Sequence, residues 1–142
     1  MSLQPIGVAV AGLGFGEKVH LPALQANADL SAVALWHPRR ERLDEACDLH
    51  GLRGSDDWNV VLADPAVEAV IIATPPEPRF ELARRALEAG KHVLLEKPVA
   101  LHADQAKELQ RLAIARGRSV AVNYEYRACL LYTSDAADEE DS

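Results

Sequence analysis

Short apolar runs alternate with amphipathic stretches along most of the chain. Runs rich in valine, isoleucine, leucine and alanine occupy residues 6–11, 31–36, 67–73, 91–95 and 119–123, and each predicts a β-strand. Residues 67–73 are apolar on both faces except at Glu68, as expected of a central parallel strand. Residues 51–55 form a connector in which a short further strand fits.

Apolar residues at helical spacing fill most of the segments between these runs. They predict helices at 17–27, 38–50, 56–62, 78–89 and 102–116, with Pro22 bending the first of them. Gly90 and Gly117 stand where helices commonly end. In the first two helices, the side chains expected to face the core are Val19, Ala23, Leu24, Leu43, Ala46 and Leu49.

This order of strands and helices predicts an α/β fold. Strands that alternate with helices form a parallel sheet, and right-handed crossovers place helices on both of its faces. The expected architecture is a doubly wound parallel sheet, a Rossmann-like domain over residues 1–127. In such sheets, ligands bind at the carboxyl ends of the strands.

The last residues break the pattern. Residues 128–142 have no partner helix, and 135–142 are acidic and low in complexity. The run 129–139 also resembles the translation of a transposase adapter end used in sequencing libraries. We therefore expect a non-native tail or a disordered acidic one, and residues 128–142 are excluded from the fold prediction.

Composition narrows the function classes. With 142 residues, 49% apolar and 26% charged, the chain is typical of one globular domain, and its net charge of −7 argues against a nucleic-acid partner. No run is long and apolar enough to span a membrane and no signal peptide is recognisable, so a cytoplasmic protein is expected. Cys47 and Cys129 suggest neither a disulfide framework nor a metal site, and no histidine pair has metal-ligand spacing.

A glycine-rich turn follows the first strand. Gly12 and Gly14 match the first two glycines of GxGxxG, whereas Glu17 stands at the third position and an extra glycine at Gly16. Glycines here let the backbone approach a pyrophosphate at a helix N-terminus. The motif predicts dinucleotide binding, although a plain βα turn and the GxGxG of S-adenosylmethionine methyltransferases fit it too.

The end of the second strand indicates which nucleotide would bind. An Asp or Glu there holds the ribose hydroxyls of NAD, and a basic residue suits the 2′-phosphate of NADP. The sequence offers His37, Arg39 and Arg40 with no carboxylate, which favours NADP over NAD and also counts against a methyltransferase. The alternative is that both arginines are solvated residues in the first turn of a helix.

Two further strand ends carry candidate chemistry. Thr74, Pro75 and Pro76 end the strand predicted at 67–73. Their stiff backbone is suited to pack against a flat cofactor ring, although a double proline is also common in loops. Lys97 follows the strand predicted at 91–95, where an ammonium can orient a nicotinamide ribose and exchange a proton with a substrate oxygen. The alternative for Lys97 is a solvated turn.

Several of these motifs together resemble one family. The glycine turn followed by His20-Leu21-Pro22, the Thr74-Pro75-Pro76 turn and the run from Gly90 to Pro98, Gly-Lys-His-Val-Leu-Leu-Glu-Lys-Pro, are similar to the N-terminal domain of the Gfo/Idh/MocA oxidoreductases over residues 5–127. These are NAD(P)-dependent enzymes that act mostly on sugars, inositols and similar polyols.

The resemblance assigns roles to individual residues. It implies that Lys97 is the catalytic and cofactor-positioning lysine, that Glu96 and Pro98 shape the nicotinamide pocket, and that Asn123 lies nearby. It also implies that Phe15, between the glycines, belongs to the cofactor-binding turn. The expected ligand is therefore a nicotinamide dinucleotide, with a sugar or polyol as the substrate of the full-length parent.

Three departures from the family pattern limit the transfer of the family's properties. Glu17 replaces a small residue, Arg79 stands where many members have a histidine, and no sequence corresponds to the family's second domain, which carries the substrate pocket and most of the oligomer interface. We expect a homo-oligomeric parent, and a 142-residue chain that binds cofactor without turnover. The alternatives are a non-catalytic dinucleotide-binding or sensor module and, less favoured, a methyltransferase fragment.

Overall fold

The chain forms a single parallel sheet flanked by helices, and a computed structural model describes residues 4–123. The strands are β1 (Ile6–Ala11), β2 (Leu30–Trp36), β3 (Arg53–Ser55), β4 (Ala69–Ile72), β5 (His92–Glu96) and β6 (Val120–Asn123). The helices are α1 (Leu21–Gln25), which continues from a π-helical turn at Gly16–His20, then α2 (Arg40–His50), α3 (Trp58–Ala63), α4 (Pro76–Glu88) and α5 (Ala103–Arg116).

The strand order is β3-β2-β1-β4-β5-β6 and every pairing is parallel. This confirms the predicted doubly wound α/β fold, including the short third strand. The last residue of β1, Ala11, lies opposite Trp36 of β2 and Ile72 of β4. The carboxyl ends of these three strands therefore meet at one edge, and the chain leaves β1 and β4 toward opposite sides of the sheet.

Each face of the sheet has its own core. Helices α1 and α2 cover one face, where Leu21 and Leu43 pack against Val10. Helices α3, α4 and α5 cover the other face, where Leu87 and Leu109 are buried. The right-handed crossovers reverse direction between β3 and β4, which is why the helices divide in this way.

Local sequence sets several helix ends. The side chain of Asp57 accepts a hydrogen bond from the Asn59 amide at 2.9 Å and caps α3. Helix α5 ends at Gly117, whose φ of 64° is left-handed, as predicted. Helix α4 begins at Pro76, two residues earlier than predicted, because a proline is well tolerated in the first turn, where its missing amide would have no helical partner.

The inward face of the first helix differs from the prediction. Val19 is 44% exposed and Ala23 is exposed, while His20 and Leu21 are buried. The π-helical turn causes this shift, because it breaks the 3.6-residue period on which the prediction depends. In α2, Leu43 is buried as predicted, but Leu49 is 74% exposed.

Within residues 4–123, no helix is long and apolar enough to cross a membrane. The predicted end of the domain at residue 127 and the predicted tail at 128–142 lie outside the described residues.

Candidate functional site

A cavity of about 650 Å³ opens at the edge of the sheet where β1, β2 and β4 end. Its position is the crevice between β1 and β4, where doubly wound sheets bind their ligands. The cavity is lined by Gly12, Leu13, Gly14, Trp36, His37, Pro38, Arg39, Arg42, Ala73, Thr74, Pro75 and Pro78.

The glycine turn forms one wall of this cavity. Gly12 has a φ of 103°, and a Cβ atom there would lie 2.7 Å from the carbonyl oxygen of Ala73, so only glycine fits. A Cβ atom at Gly14 would meet nothing within 4 Å. The turn is thus held tightly against β4 at its first glycine and leaves room for a ligand at its second.

Gly16 resolves the mismatch with GxGxxG. A Cβ atom at this position would lie 2.8 Å from Cγ1 of Val10, so Gly16 provides the close contact between helix and strand that the third glycine of the motif normally provides. Glu17 points to α2 instead, with Oε2 2.9 Å from Nε2 of His50 and Oε1 3.7 Å from Nη2 of Arg42. The carboxylate at the third motif position is thereby engaged in contacts with α2.

The end of β2 supplies the positive charge of the cavity. Arg39 and Arg42 both line it, and Nη2 of Arg42 donates to the Leu13 carbonyl at 2.9 Å. The Arg39 amide donates to Nδ1 of His37 at 3.0 Å, which leaves Nε2 to carry the proton of the neutral ring. Burial, together with the charges of Arg39 and Arg42, lowers the pKa of His37.

Arg40 lies apart from this group. Its Nε is 3.2 Å from Oδ1 of Asp44 and its Nη1 is 3.7 Å from Oδ1 of Asp56, and its side chain does not line the cavity. Of the two arginines predicted to contact NADP, only Arg39 faces the cavity.

The predicted catalytic lysine belongs to a second polar region. We call Glu96, Lys97, Pro98 and Asn123, at the ends of β5 and β6, the Lys97 corner. Lys97 and Pro98 are exposed and joined by a cis peptide bond. Glu96 is buried, with Oε1 2.5 Å from Nε2 of His20, and it accepts a hydrogen bond from Nδ2 of Asn123 at 2.8 Å.

Arg79, on the first turn of α4, holds the backbone of this corner. Its Nη1 donates to the carbonyl oxygens of Glu96, at 2.8 Å, and Pro98, and its Nη2 donates to the carbonyl oxygen of Thr74. The side chain is buried, and burial lowers its pKa while the nearby Glu96 carboxylate opposes that shift.

The structure therefore sorts the predicted site residues into two groups. Gly12, Gly14, His37, Arg39, Thr74 and Pro75 line the cavity, and Glu96, Lys97, Pro98 and Asn123 form the corner. Gly16 supports the glycine turn from behind, Phe15 packs edge-on against His20 with ring centroids 5.3 Å apart, and Pro76 starts α4. Thr74 links the groups, since its carbonyl oxygen bonds to the arginine that holds the corner.

Three residues with charged or titratable side chains belong to these regions but are not among the predicted site residues. Arg42 is detectable from the sequence, because it stands three positions after Arg39 and so shares a helix face with it. His20 fits the family pattern in the sequence without a contact being assigned to it, and it is buried against Glu96. Arg79 stands out in the sequence only as a departure from the family pattern, and nothing local predicts its contacts with two distant turns.

No group of three His, Cys, Asp or Glu side chains suited to hold a metal ion occurs in the part of the chain that the structure describes. Cys47 is a half-buried free thiol, and burial raises its pKa. The sulfur lies where a side chain on Gly54 would otherwise extend, so it packs between α2 and β3.

Comparison with known proteins identifies the family of this chain. Residues 6–124 match the oxidoreductase family with the NAD-binding Rossmann fold, Gfo/Idh/MocA. An uncharacterized oxidoreductase of Synechocystis sp. is 42% identical over 121 residues, covering 84% of this chain and 33% of that protein. D-glucoside 3-dehydrogenase of Escherichia coli is 30% identical, covering 92% of this chain and 38% of that protein.

A solved structure agrees in three dimensions. A 3-ketoreductase from Actinomadura kijaniata, in complex with NADP and TDP-benzene, superposes with a TM-score of 0.82 at 30% identity, covering 96% of this chain and 41% of that one. The chain thus spans about a third to two fifths of the length of the relatives named here. These relatives are oxidoreductases and give no support to a methyltransferase. The chain belongs to the Gfo/Idh/MocA family and forms its NAD(P)-binding Rossmann domain.

Proposed function

We propose that this domain binds NADP in preference to NAD and serves an oxidoreductase that acts on a sugar or polyol. The observation that carries the cofactor preference is the charge of the cavity. Arg39 and Arg42 line it, and none of the described residues that line it is an aspartate or a glutamate. An NAD site would place a carboxylate on the ribose hydroxyls, whereas two guanidinium groups suit a 2′-phosphate.

The cavity fits the phosphates of the cofactor. Gly12 and Gly14 bring bare backbone to the cavity wall, and Gly16 lets the following turn lie close to β1, so a pyrophosphate would be held by main-chain amides. The 2′-phosphate would be held by Arg39 and Arg42, with His37 donating from Nε2. Arg40 retains its ion pairs with Asp44 and Asp56 and takes no part.

The nicotinamide end would lie toward the Lys97 corner. Thr74, Pro75 and Pro76 offer a rigid wall between the cavity and this corner. Glu96 cannot act as a free base, because it is buried and hydrogen-bonded to His20 and Asn123. Its role is to hold the corner and so to shape the pocket with Pro98.

Lys97 is the residue assigned to proton transfer. The bound nicotinamide supplies or accepts the hydride of the reaction. Lys97 is exposed at the carboxyl end of β5, next to the buried Glu96, where its ammonium group can orient a ligand oxygen and exchange a proton with it. A fixed position beside the reacting carbon would contribute through orientation as well as through charge.

The substrate class rests on relatives. The name of the Escherichia coli relative, D-glucoside 3-dehydrogenase, supports a sugar or related polyol for the parent of this chain. The relatives are two to three times as long, so the substrate groups would come from sequence outside this chain. We therefore expect the 142-residue chain to bind cofactor without turnover and its parent to be a homo-oligomer.

A thermal-shift titration of the chain with NADPH, NADH and S-adenosylmethionine tests the cofactor assignment. We expect NADPH to raise the melting temperature more than NADH at equal concentration, and the methyl donor to have no effect, because only a ligand that binds the folded state stabilises it. A larger shift with NADH would contradict the assigned role of Arg39 and Arg42.

Turnover assays separate an enzyme domain from a non-catalytic sensor module. The full-length parent is expected to reduce NADP with a D-glucoside or a related polyol, and the 142-residue chain is not. Cofactor binding by a parent that turns over none of a broad panel of sugars and polyols would favour the sensor. Turnover by the 142-residue chain would contradict its expected inactivity.

A further inference from the structure

We propose that Arg79 is a positioning residue that fixes the Lys97 corner relative to the cavity at the ends of β1, β2 and β4. The inference rests on the proposed function, because it assigns the nicotinamide end of the cofactor to that corner. The inference goes beyond the proposed function by naming the group that couples the cavity to the Lys97 corner.

The geometry singles out one side chain. The guanidinium group of Arg79 contacts the carbonyl oxygens of Thr74, Glu96 and Pro98. Thr74 follows β4 and lines the cavity, while the other two carbonyls flank Lys97 on either side. One buried group therefore joins the turn that carries Lys97 to the cavity wall.

The chemistry of the contact explains why an arginine is needed. Thr74 and Pro98 lie beyond the paired residues of β4 and β5, so their carbonyl groups have no place in the sheet ladder. A guanidinium group spreads its donors across a plane and can bond to two turns at once, whereas a lysine ammonium is a compact point charge.

The buried charge is also only partly compensated. Arg79 is 4% exposed, and its Nε atom has no hydrogen-bond partner among the described residues. The Glu96 carboxylate compensates part of the charge, but it also bonds to His20 and Asn123. Burying a cation in this way is costly, and the carbonyl contacts offset the cost only while both turns keep their positions.

The test separates the two halves of the cofactor. The ligands are NADPH and adenosine 2′,5′-bisphosphate, which carries the 2′-phosphate but no nicotinamide. The proteins are the 142-residue chain and its variants Arg79→Met and Arg79→Lys. Arg84→Met is the matched control, because Arg84 lies on the same helix and pairs with Glu81 and Glu88 at the surface.

We expect Arg79→Met to weaken NADPH binding about tenfold and binding of the bisphosphate less than about twofold, as losing a charged hydrogen-bond network at one end of a ligand site would. Arg79→Lys is expected to give a smaller loss with the same selectivity, and the control to change neither affinity. Fluorescence titration measures the affinity for NADPH, and calorimetry measures the affinity for the bisphosphate.

Equal losses for both ligands, or no loss for either, would overturn the inference, because a merely structural role cannot distinguish the two ends of the cofactor. If circular dichroism shows that Arg79→Met does not fold, the test uses Arg79→Lys instead. Its loss of NADPH affinity must then exceed its loss of bisphosphate affinity. Failure of the unchanged chain to bind either ligand would instead overturn the proposed function, and the inference with it.

Discussion

The cavity at the ends of β1, β2 and β4 and the Lys97 corner are neighbouring parts of one sheet edge, yet they are built by opposite means. The cavity uses glycine backbone and arginines whose charged groups border open space. The corner uses buried polar groups, with Glu96 held by His20 and Asn123. Charge alone suffices to attract phosphates, whereas a reacting group needs a fixed position.

Replacing Lys97 should have the largest effect on function. In the full-length parent, Lys97→Met is expected to lower kcat about 10² to 10⁴-fold, the range of a lost general acid or base. NADPH affinity should fall far less, by no more than about tenfold, because the nicotinamide end loses a contact while the cavity that would hold the phosphates stays intact. Stopped-flow kinetics and fluorescence titration give the two quantities. Unchanged kcat would remove Lys97 from the mechanism.

Replacing Gly12 should break the cavity itself. Gly12→Ala puts a Cβ atom 2.7 Å from the Ala73 carbonyl oxygen at a φ of 103°, and we expect it to lower the free energy of unfolding by about 2–4 kcal/mol. Urea denaturation measures this loss. Gly14→Ala is the control, since its Cβ meets nothing within 4 Å and should leave unfolding nearly unchanged while weakening NADPH binding. Equal stability losses would contradict the structural difference between the two glycines.

Replacing Arg42 should change which cofactor is preferred. Arg42→Met is expected to weaken NADPH binding about tenfold and NADH binding little, because only NADPH carries a 2′-phosphate. Arg40→Met is the matched control, since Arg40 pairs with Asp44 and Asp56 instead of lining the cavity. If the control loses as much NADPH affinity as Arg42→Met, the assignment of the phosphate to Arg39 and Arg42 is wrong.

The pH dependence of His37 should be the smallest effect. Its native pKa lies below the ordinary value of 6.5, so the folded chain binds a proton there less readily than the unfolded chain. The contribution of His37 to stability is complete above about pH 6.5 and is lost as the pH falls through the native pKa. Urea unfolding of His37→Gln should therefore show a shallower loss between about pH 7 and pH 5 than the unchanged chain. A steeper loss in His37→Gln would contradict the lowered native pKa of His37.

The fold is more predictable than the contacts at the site. Strands and helices depend on local apolar periodicity, so five of the six strands can be predicted from the sequence. The short β3 lies in a connector in which the sequence only leaves room for a strand. The exceptions have local causes. The π-helical turn moves Val19 to the surface, and Leu49 occupies the exposed last turn of α2.

The polar contacts depend on residues far apart in sequence. His20 meets Glu96 across the width of β4, and Arg79 bonds to turns after both β4 and β5. No local pattern encodes these meetings. The strand order decides them, because it brings the ends of β4, β5 and β6 beside the helix that follows β1.

The pairing of β1 with β4 has a consequence for folding. It joins the first half of the chain to the second, and the glycine turn reaches its final shape only when Ala73 lies against Gly12. Contacts between distant segments form late and slowly, because closing a long loop costs chain entropy before the contact rewards it. A partly folded chain with only β1, β2 and β3 in place would have the glycine turn without its contact to Ala73. During refolding, NADPH binding would therefore recover only when β4 has paired with β1.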